Sequence, residues 1–332
     1  MDIKPHQSGS KYEVIAEDVV PEATDLENFK LSVIIPCFNE EETLDYSYKK
    51  IAVDLQKVKN LEIVFIDDGS EDRTWEIISS LKAKDARIKA IKFSRNFGHQ
   101  FAVTAGLEHC SGDCIAIIDA DLQDPPRIIL KMVAFWQKGY YVVFGRRKKR
   151  PGEPLFKRVT ASYFYKILNK LSGDFIPRDT GDFRLIDKKI NEYLMDMPEN
   201  DRFLRGMIAW MGFPRIGIEY NRDKREFGET KYTFRKMVSL AASAIFSFSI
   251  KPLRLSIILG ALSAVLAMLM LIYAIFMKIV GSPVAGWTTL IVMIAFFSGV
   301  QLLSIGVLGE YVGRAFIQTK QRPKYIIEEI IE

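Results

Sequence analysis

The sequence predicts an α/β domain on a mostly parallel sheet, followed by an interfacial helix region and a two-helix transmembrane hairpin. Three observations predict it. Short apolar runs alternate with helix-length segments between Leu31 and Phe144. Two of those runs end in acids, in FIDDGSEDRT from Phe65 and IIDADLQDPP from Ile117. Two long stretches without charge then follow, over 255–277 and 284–308.

The elements follow in chain order. Residues 1–29 are polar, acid-leaning and aperiodic, which reads as a mobile tail. Runs rich in β-branched residues predict strands over 31–36, 61–66, 88–93, 114–118 and 140–144. Helices are expected between them, over 40–58, 73–84, 100–109 and 126–138. Asn39 ahead of Glu40, Glu41 and Glu42 reads as an N-cap with a glutamate three residues on. Later segments suggest helices over 156–171 and 203–211 and a strand over 215–220. Residues 233–250 group Phe234, Met237, Leu240, Ala241, Ile245 and Phe248 near one side, which fits a helix lying on a bilayer; an ordinary core helix is the alternative.

Each uncharged stretch is long enough, at about 1.5 Å per residue, to cross a bilayer core of about 30 Å. Buried core helices are the alternative, but a soluble core needs shorter stretches. The link between the stretches is short, so they form a hairpin. Lys251 and Arg254 precede it, Arg314, Lys320, Arg322 and Lys324 follow it, and its loop carries only Lys278. Basic flanks stay inside, and no signal peptide opens the sequence. The expectation is a plasma-membrane protein with its large N-terminal part and both ends cytoplasmic.

Composition narrows the function. Three cysteines without CxxC spacing argue for free thiols, and three histidines make no zinc pattern. The net charge of +5 is modest, and its densest cluster is Arg146, Arg147, Lys148, Lys149 and Arg150. A phosphate-rich ligand or an anionic membrane surface suits that cluster, and no nucleic-acid motif accompanies it. No glycine-rich turn follows the first strand, which excludes a dehydrogenase of the usual kind.

The strand-end acids carry the chemistry. In extended chain, residues i and i+2 share a face, so Asp119 and Asp121 converge. Two carboxylates held together repel unless a cation or proton lies between them. Hard oxygen ligands with open positions suit Mg²⁺ or Mn²⁺ bridging phosphates. A lone DxD is weak, because solvated turn acids look the same. Its place beside a second acid-tipped strand strengthens it, since ligands bind beyond the carboxyl ends of parallel strands.

VIIPCFNEEETL, FIDDGSEDRT, FSRNFGHQFAVTAGLEHCSGD and IDADLQDPP together resemble the nucleotide-sugar domain of family-two inverting glycosyltransferases. With DTGDFRLID and REFGETKYTFRKM before two spans, the chain resembles polyprenyl-phosphate glycosyltransferases of the bactoprenol glucosyltransferase type, relatives of dolichol-phosphate mannose synthase. The likeness covers about residues 31 to 320. It implies a Rossmann-like GT-A fold. The organisation it implies is a tail over 1–29, a cytoplasmic catalytic domain over 30–232 and interfacial helices over 233–252. Two transmembrane helices over 253–310 and a cytoplasmic segment over 311–332 complete it.

The resemblance also implies roles. Pro36, Asn39 and Glu40 match the nucleoside-binding loop. Asp67 would accept hydrogen bonds from uracil or ribose, and Asp68 is structural or a second nucleotide contact. Asp119 and Asp121 would hold the metal on the diphosphate, with Gln123 near metal and phosphate. Asp182 matches the acid beside the reacting sugar, with Asp179 its competitor. Arg146, Arg147, Arg225 and Lys231 are candidates to balance two anionic substrates. For Lys148, Lys149 and Arg150 a solvated or lipid-facing charge run is the stronger reading.

The reaction implied is transfer of glucose from UDP-glucose to a membrane polyprenyl phosphate of undecaprenyl type, with inversion. The alternatives are GDP-mannose or a UDP-aminosugar as donor, or a non-catalytic nucleotide-sensing scaffold. A processive polysaccharide synthase is disfavoured, because it would carry more spans and a QxxRW motif. Self-association through the small residues Gly260, Ala261 and Ala264 is expected, as is a separate flippase for the product.

Overall fold

A computed structural model describes residues 12–20, 22–121, 123–148, 180–200, 202–221, 250–280 and 286–332. The chain divides into two units. One comprises Met1–Asn169, Asp174–Thr233 and Arg322–Glu332, the other Lys170–Gly173 and Phe234–Gln321.

The first unit is built on a sheet of strands β1 (Glu13–Ala16), β2 (Lys30–Cys37), β3 (Asn60–Asp67), β4 (Ile88–Phe93), β5 (Cys114–Ile117), β6 (Val142–Arg147), β7 (Thr180–Asp187), β8 (Arg215–Tyr220) and β9 (Ile327–Ile331). Its order is β1-β8-β6-β7-β5-β2-β3-β4-β9. Strand β7 runs antiparallel to β5 and β6, β9 runs antiparallel to β4, and every other pairing is parallel. The helices are α1 (Leu44–Asp54), α2 (Thr74–Lys84), α3 (His99–His109), α4 (Arg127–Gln137), α5 (Lys188–Asp196) and α6 (Leu204–Trp210).

The central strands are continuous apolar runs because both sheet faces are covered. Val33, Ile34 and Ile35 of β2 and Ile63, Val64 and Phe65 of β3 are fully buried. Helix α3 lies close to this core. A Cβ on Gly106 would stand 2.4 Å from the Ile34 Cγ2 and 2.8 Å from the Ile66 Cδ1. Pro36 sits within β2 without breaking the ladder to β5. The Ile34 carbonyl accepts from the Ile118 N–H, so Pro36 faces the same side two residues on, where the β5 register has ended.

Several expectations change. The tail over 1–29 is in part a strand: β1 pairs with β8, and Lys131 donates to the Glu17 carbonyl at 2.7 Å. Four residues are too few for a period to show. Asn39 is not an N-cap, since α1 starts at Leu44 after Thr43. Asn39 instead has φ +54° and accepts from the Glu71 N–H at 2.9 Å. The fifth strand expected at 140–144 runs over Val142–Arg147. The segment 311–332, expected as a cytoplasmic segment with no element assigned to it, continues a helix to Thr319 and supplies β9. Strand β7 and helix α5 were not expected; Asp187 ends the one and caps the other, accepting from the Lys189 N–H. The helix expected at 156–171, and all but the last residue of the one expected at 233–250, lie outside the described residues.

The second unit holds α7 (Lys251–Ile279) and α8 (Trp287–Thr319), which pack on each other. Both are long and apolar enough to cross a membrane. Almost none of either is buried, and Leu262, Leu269, Ile272, Phe276 and Leu302 are each more than half exposed. A soluble core helix would be covered; an uncovered apolar surface of this length fits lipid.

Candidate active site

The site lies where the parallel strands end. Asp67 closes β3, Asp119 follows β5, and α3 begins at His99 just after β4. Strand β7 runs the other way, so its start reaches the same edge: Thr180 pairs with Arg146 and Arg184 with Ile117. That reversal brings Asp182 to the acids of the fourth apolar run.

Asp182 is the hub. Arg205 of α6 grips it with two parallel hydrogen bonds, Nε to Oδ1 at 2.7 Å and Nη2 to Oδ2 at 2.8 Å. His99 Nε2 is 3.2 Å from Asp182 Oδ2 and 3.8 Å from Asp119 Oδ1. Gln100 donates to Oδ2 at 3.5 Å, and the Arg184 guanidinium lies 3.8 Å from Oδ1. Burial alone would raise the Asp182 carboxyl; Arg205 and His99 outweigh it and hold the group well below the usual carboxylate range. Burial disfavours charge on His99, but the hydrogen bond to Asp182 and the charge of Asp119 prevail and push it up to about 9. His99 keeps 41% of its side chain exposed, against 12% for Asp182. It is therefore the member of the pair that solvent or a ligand reaches more readily.

The Asp119 carboxyl is raised by burial and by Asp182, Asp124 and Asp121, with His99 opposing. A cation there would relieve that crowding. Among the described residues no three histidine, cysteine or acidic side chains converge as a cage. Asp119 and Asp121 are oxygen ligands of the kind a hard divalent ion would take.

The Asp119–Asp124 loop is tied down from behind. The Gln123 N–H donates to Asp121 Oδ1 at 3.2 Å, and Gln123 is buried. Asp124, fully buried, accepts from Arg147 Nη2 at 3.0 Å and from the Tyr220 hydroxyl. Arg147 is thus held by a protein carboxylate, while Arg146 lies 3.9 Å from Glu219. Among the described residues the Arg147 Nε is buried without a hydrogen-bond partner.

At β3, Asp67 accepts from the Ser70 N–H at 3.1 Å, while its Oδ2 is buried without a partner among the described residues. Asp68 accepts from the N–H groups of Phe97, at 2.7 Å, and of Gly98. Gly69, with φ +67°, is where these loops meet: a Cβ would stand 2.3 Å from the Arg95 carbonyl carbon. The Asn39 N–H donates to Ser70 Oγ and the Glu40 N–H to Thr74 Oγ1, joining the loop after β2 to the loop after β3.

The structure therefore brings together Asp119 and Asp182. It ties Asp67, Asn39 and Glu40 into the neighbouring loops, and sets Pro36 just behind them. Arg225, Lys231 and Asp179 lie outside the described residues. Sequence reasoning missed His99, Arg184 and Arg205. His99 carried a usable signal, since it follows Gly98 directly beyond a parallel strand.

Residues 32–195 match glycosyl transferase family 2. The chain is 42% identical over 303 residues to a bactoprenol glucosyl transferase of Shigella flexneri, derived from the SfII prophage, covering 90% of this chain and 98% of that one. It is 42% identical over 304 residues to the uncharacterized glycosyltransferase YkcC of Bacillus subtilis, covering 91% and 94%. The chain belongs to glycosyl transferase family 2. The chain is also similar to glucosyl-3-phosphoglycerate synthase from Mycobacterium tuberculosis, with TM-score 0.49, 16% identity and coverage of 66% and 77%. Within this family 2 chain, His99, Asp119, Asp121 and Asp182 lie in the matched stretch, and Arg205 lies beyond it.

Proposed function

We propose that this glycosyltransferase moves glucose from UDP-glucose to a membrane polyprenyl phosphate with inversion, yielding a β-linked polyprenyl phosphoglucose and UDP. The observation that carries the reading is the cluster of Asp182, His99 and Arg205 beside Asp119. The relatives named as bactoprenol glucosyl transferases support the acceptor and the sugar. The two uncovered apolar helices support a membrane acceptor. In this reading they are an integral anchor in the plasma membrane, with the catalytic unit on the cytoplasmic side.

The acceptor sets what the site must do. A phosphate monoester has a second pKa of about 6, so near neutral pH it is already a competent oxygen nucleophile. It needs positioning and charge neutralisation more than a base. Asp182 suits that: a carboxylate held so far down is a poor proton acceptor, and its charge can favour positive charge growing at the anomeric carbon. Asp182 also keeps His99 and Arg205 in place. His99, cationic and open to solvent, is suited to an anionic oxygen of either substrate. Arg225 and Lys231 are proposed to grip the acceptor phosphate, with Arg146 supporting the donor side. Asp67, Asn39, Glu40 and Pro36 are proposed to shape the nucleoside pocket, where the Asp67 Oδ2, without a partner among the described residues, would take a donor hydrogen. A Mg²⁺ or Mn²⁺ ion held by Asp119 and Asp121 would neutralise charge on the departing diphosphate.

The donor is tested with a panel of labelled UDP-glucose, GDP-mannose and UDP-N-acetylglucosamine in detergent, with polyprenyl phosphate and a divalent ion. Label from UDP-glucose alone in the lipid phase is expected. Label from another donor replaces the sugar and keeps the mechanism. Nucleotide binding without lipid label from any donor favours a scaffold.

A further inference from the structure

The segment beyond α8 touches both elements that flank the loop leading to His99. Strand β9 pairs with β4, and the Ser94 N–H donates to the Ile326 carbonyl at 3.0 Å. Just ahead of β9, the Tyr325 ring stacks on Phe93, the last residue of β4, with centroids 4.8 Å apart and planes 16° apart. The Tyr325 hydroxyl donates to Glu108, near the end of α3. Tyr325 therefore touches the element before the 94–98 loop and the element after it.

That loop presents His99. Phe93 also meets the Phe97 ring edge-on at 5.7 Å, and Arg95 lies over the Phe97 ring at 4.0 Å. The N–H groups of Phe97 and Gly98 are held by Asp68, and the next residue is His99. Tyr325, Phe93 and Phe97 form a continuous aromatic row that ends two residues from the imidazole on Asp182.

We propose that Tyr325 is a positioning residue, a brace from the C-terminal segment that fixes the 94–98 loop and so holds His99 on Asp182 and Asp119. This rests on the reading of His99 and Asp182 as the active site. It assigns a catalytic contribution to a residue that touches neither substrate nor reacting atoms. Removing the ring frees Phe93 and Phe97 to repack, and removing the hydroxyl frees the end of α3. The loop then samples positions in which His99 leaves Asp182.

The test compares wild type, Tyr325→Ala and Tyr325→Phe as full chains in detergent, by hydrogen–deuterium exchange and by steady-state transfer. The ring stack survives in Tyr325→Phe, which guards against general misfolding. In Tyr325→Ala, exchange across 94–99 is expected to rise about tenfold, with β2 and β3 unchanged, because loss of a local brace opens only the unit it holds. The same variant is expected to lose about tenfold in kcat with donor KM within about twofold, the pattern of a group that acts on the transition state. Tyr325→Phe should lie between the two. Exchange over 94–99 that stays at the wild-type rate overturns the brace. So does a rise spread evenly over β2, β3 and β4, or an equal loss in KM. If wild type transfers no sugar, the functional reading fails, and the exchange comparison still decides whether Tyr325 holds the loop.

Discussion

Arg205 binds Asp182 through two parallel hydrogen bonds of 2.7 and 2.8 Å, joining the first turn of α6 to the start of β7. The fork geometry matters as much as the charge, because only a guanidinium meets both carboxylate oxygens in one plane. Arg205→Lys should therefore lower kcat by about tenfold or more while leaving donor affinity near wild type. Steady-state kinetics on detergent-purified protein check this. A variant with wild-type kcat would remove Arg205 from the mechanism.

The depressed Asp182 carboxyl makes a pH prediction. A group whose folded pKa lies below its ordinary value keeps its charge as pH falls through the ordinary carboxylate range. Between about pH 5 and 8 the rate should show no limb from Asp182; the acceptor phosphate, with its second pKa of about 6, supplies its own limb. Asp182→Asn should lower the whole profile and bring its alkaline fall to lower pH, because His99 loses the hydrogen bond and charge that help push it up. An acid limb that disappears in Asp182→Asn would show a titrating base.

Gly69 is required twice over, by its positive φ and by the Arg95 and Asn96 backbone against it. Gly69→Ala should cost about 2 kcal/mol or more and loosen the Asp68 contact with Phe97 and Gly98. Thermal unfolding measures the first effect, and reduced kcat the second. An unchanged midpoint would mean that the loop gives way freely.

Away from the site, Asp85 accepts from Arg87 and from the Tyr48 hydroxyl. The Arg87 hydrogen bonds lead in lowering its carboxyl from 3.8 to about 2. The folded pKa is depressed, so the stabilisation is complete above about pH 4 and is lost as pH falls towards 2. Asp85→Asn should cost about 1 to 2 kcal/mol near neutrality, discounting for the part-exposed Arg87, and only a small fraction of that near pH 2. Denaturant midpoints at the two pH values check the difference.

The parallel strands were legible because strands covered on both faces must be apolar along their length, as Val33, Ile34 and Ile35 are. Asp119 and Asp182 were legible as motif residues. What was not legible depends on tertiary direction. Strand β7 carries Asp182, Arg184 and Asp187 in place of a continuous apolar run, and its antiparallel course is what sets Asp182 beside Asp119. Arg205 follows Asp182 by 23 residues and meets it only because α6 folds back over that edge. Strand β9 falls beyond two apolar helices, where no local pattern ties it to β4. Asn39 misled as a cap because its side chain serves the Glu71 amide of the next loop.

The most direct test follows labelled glucose from UDP-glucose into polyprenyl phosphate, with wild type, Asp121→Ala and Asp182→Asn side by side. Mass spectrometry of the lipid product accompanies the count. Label in the lipid phase for wild type is expected, with a loss of about a hundredfold or more in each variant and retained folding. Lipid label that persists undiminished in both variants would contradict the assignment of these carboxylates to the transfer of sugar onto the membrane phosphate.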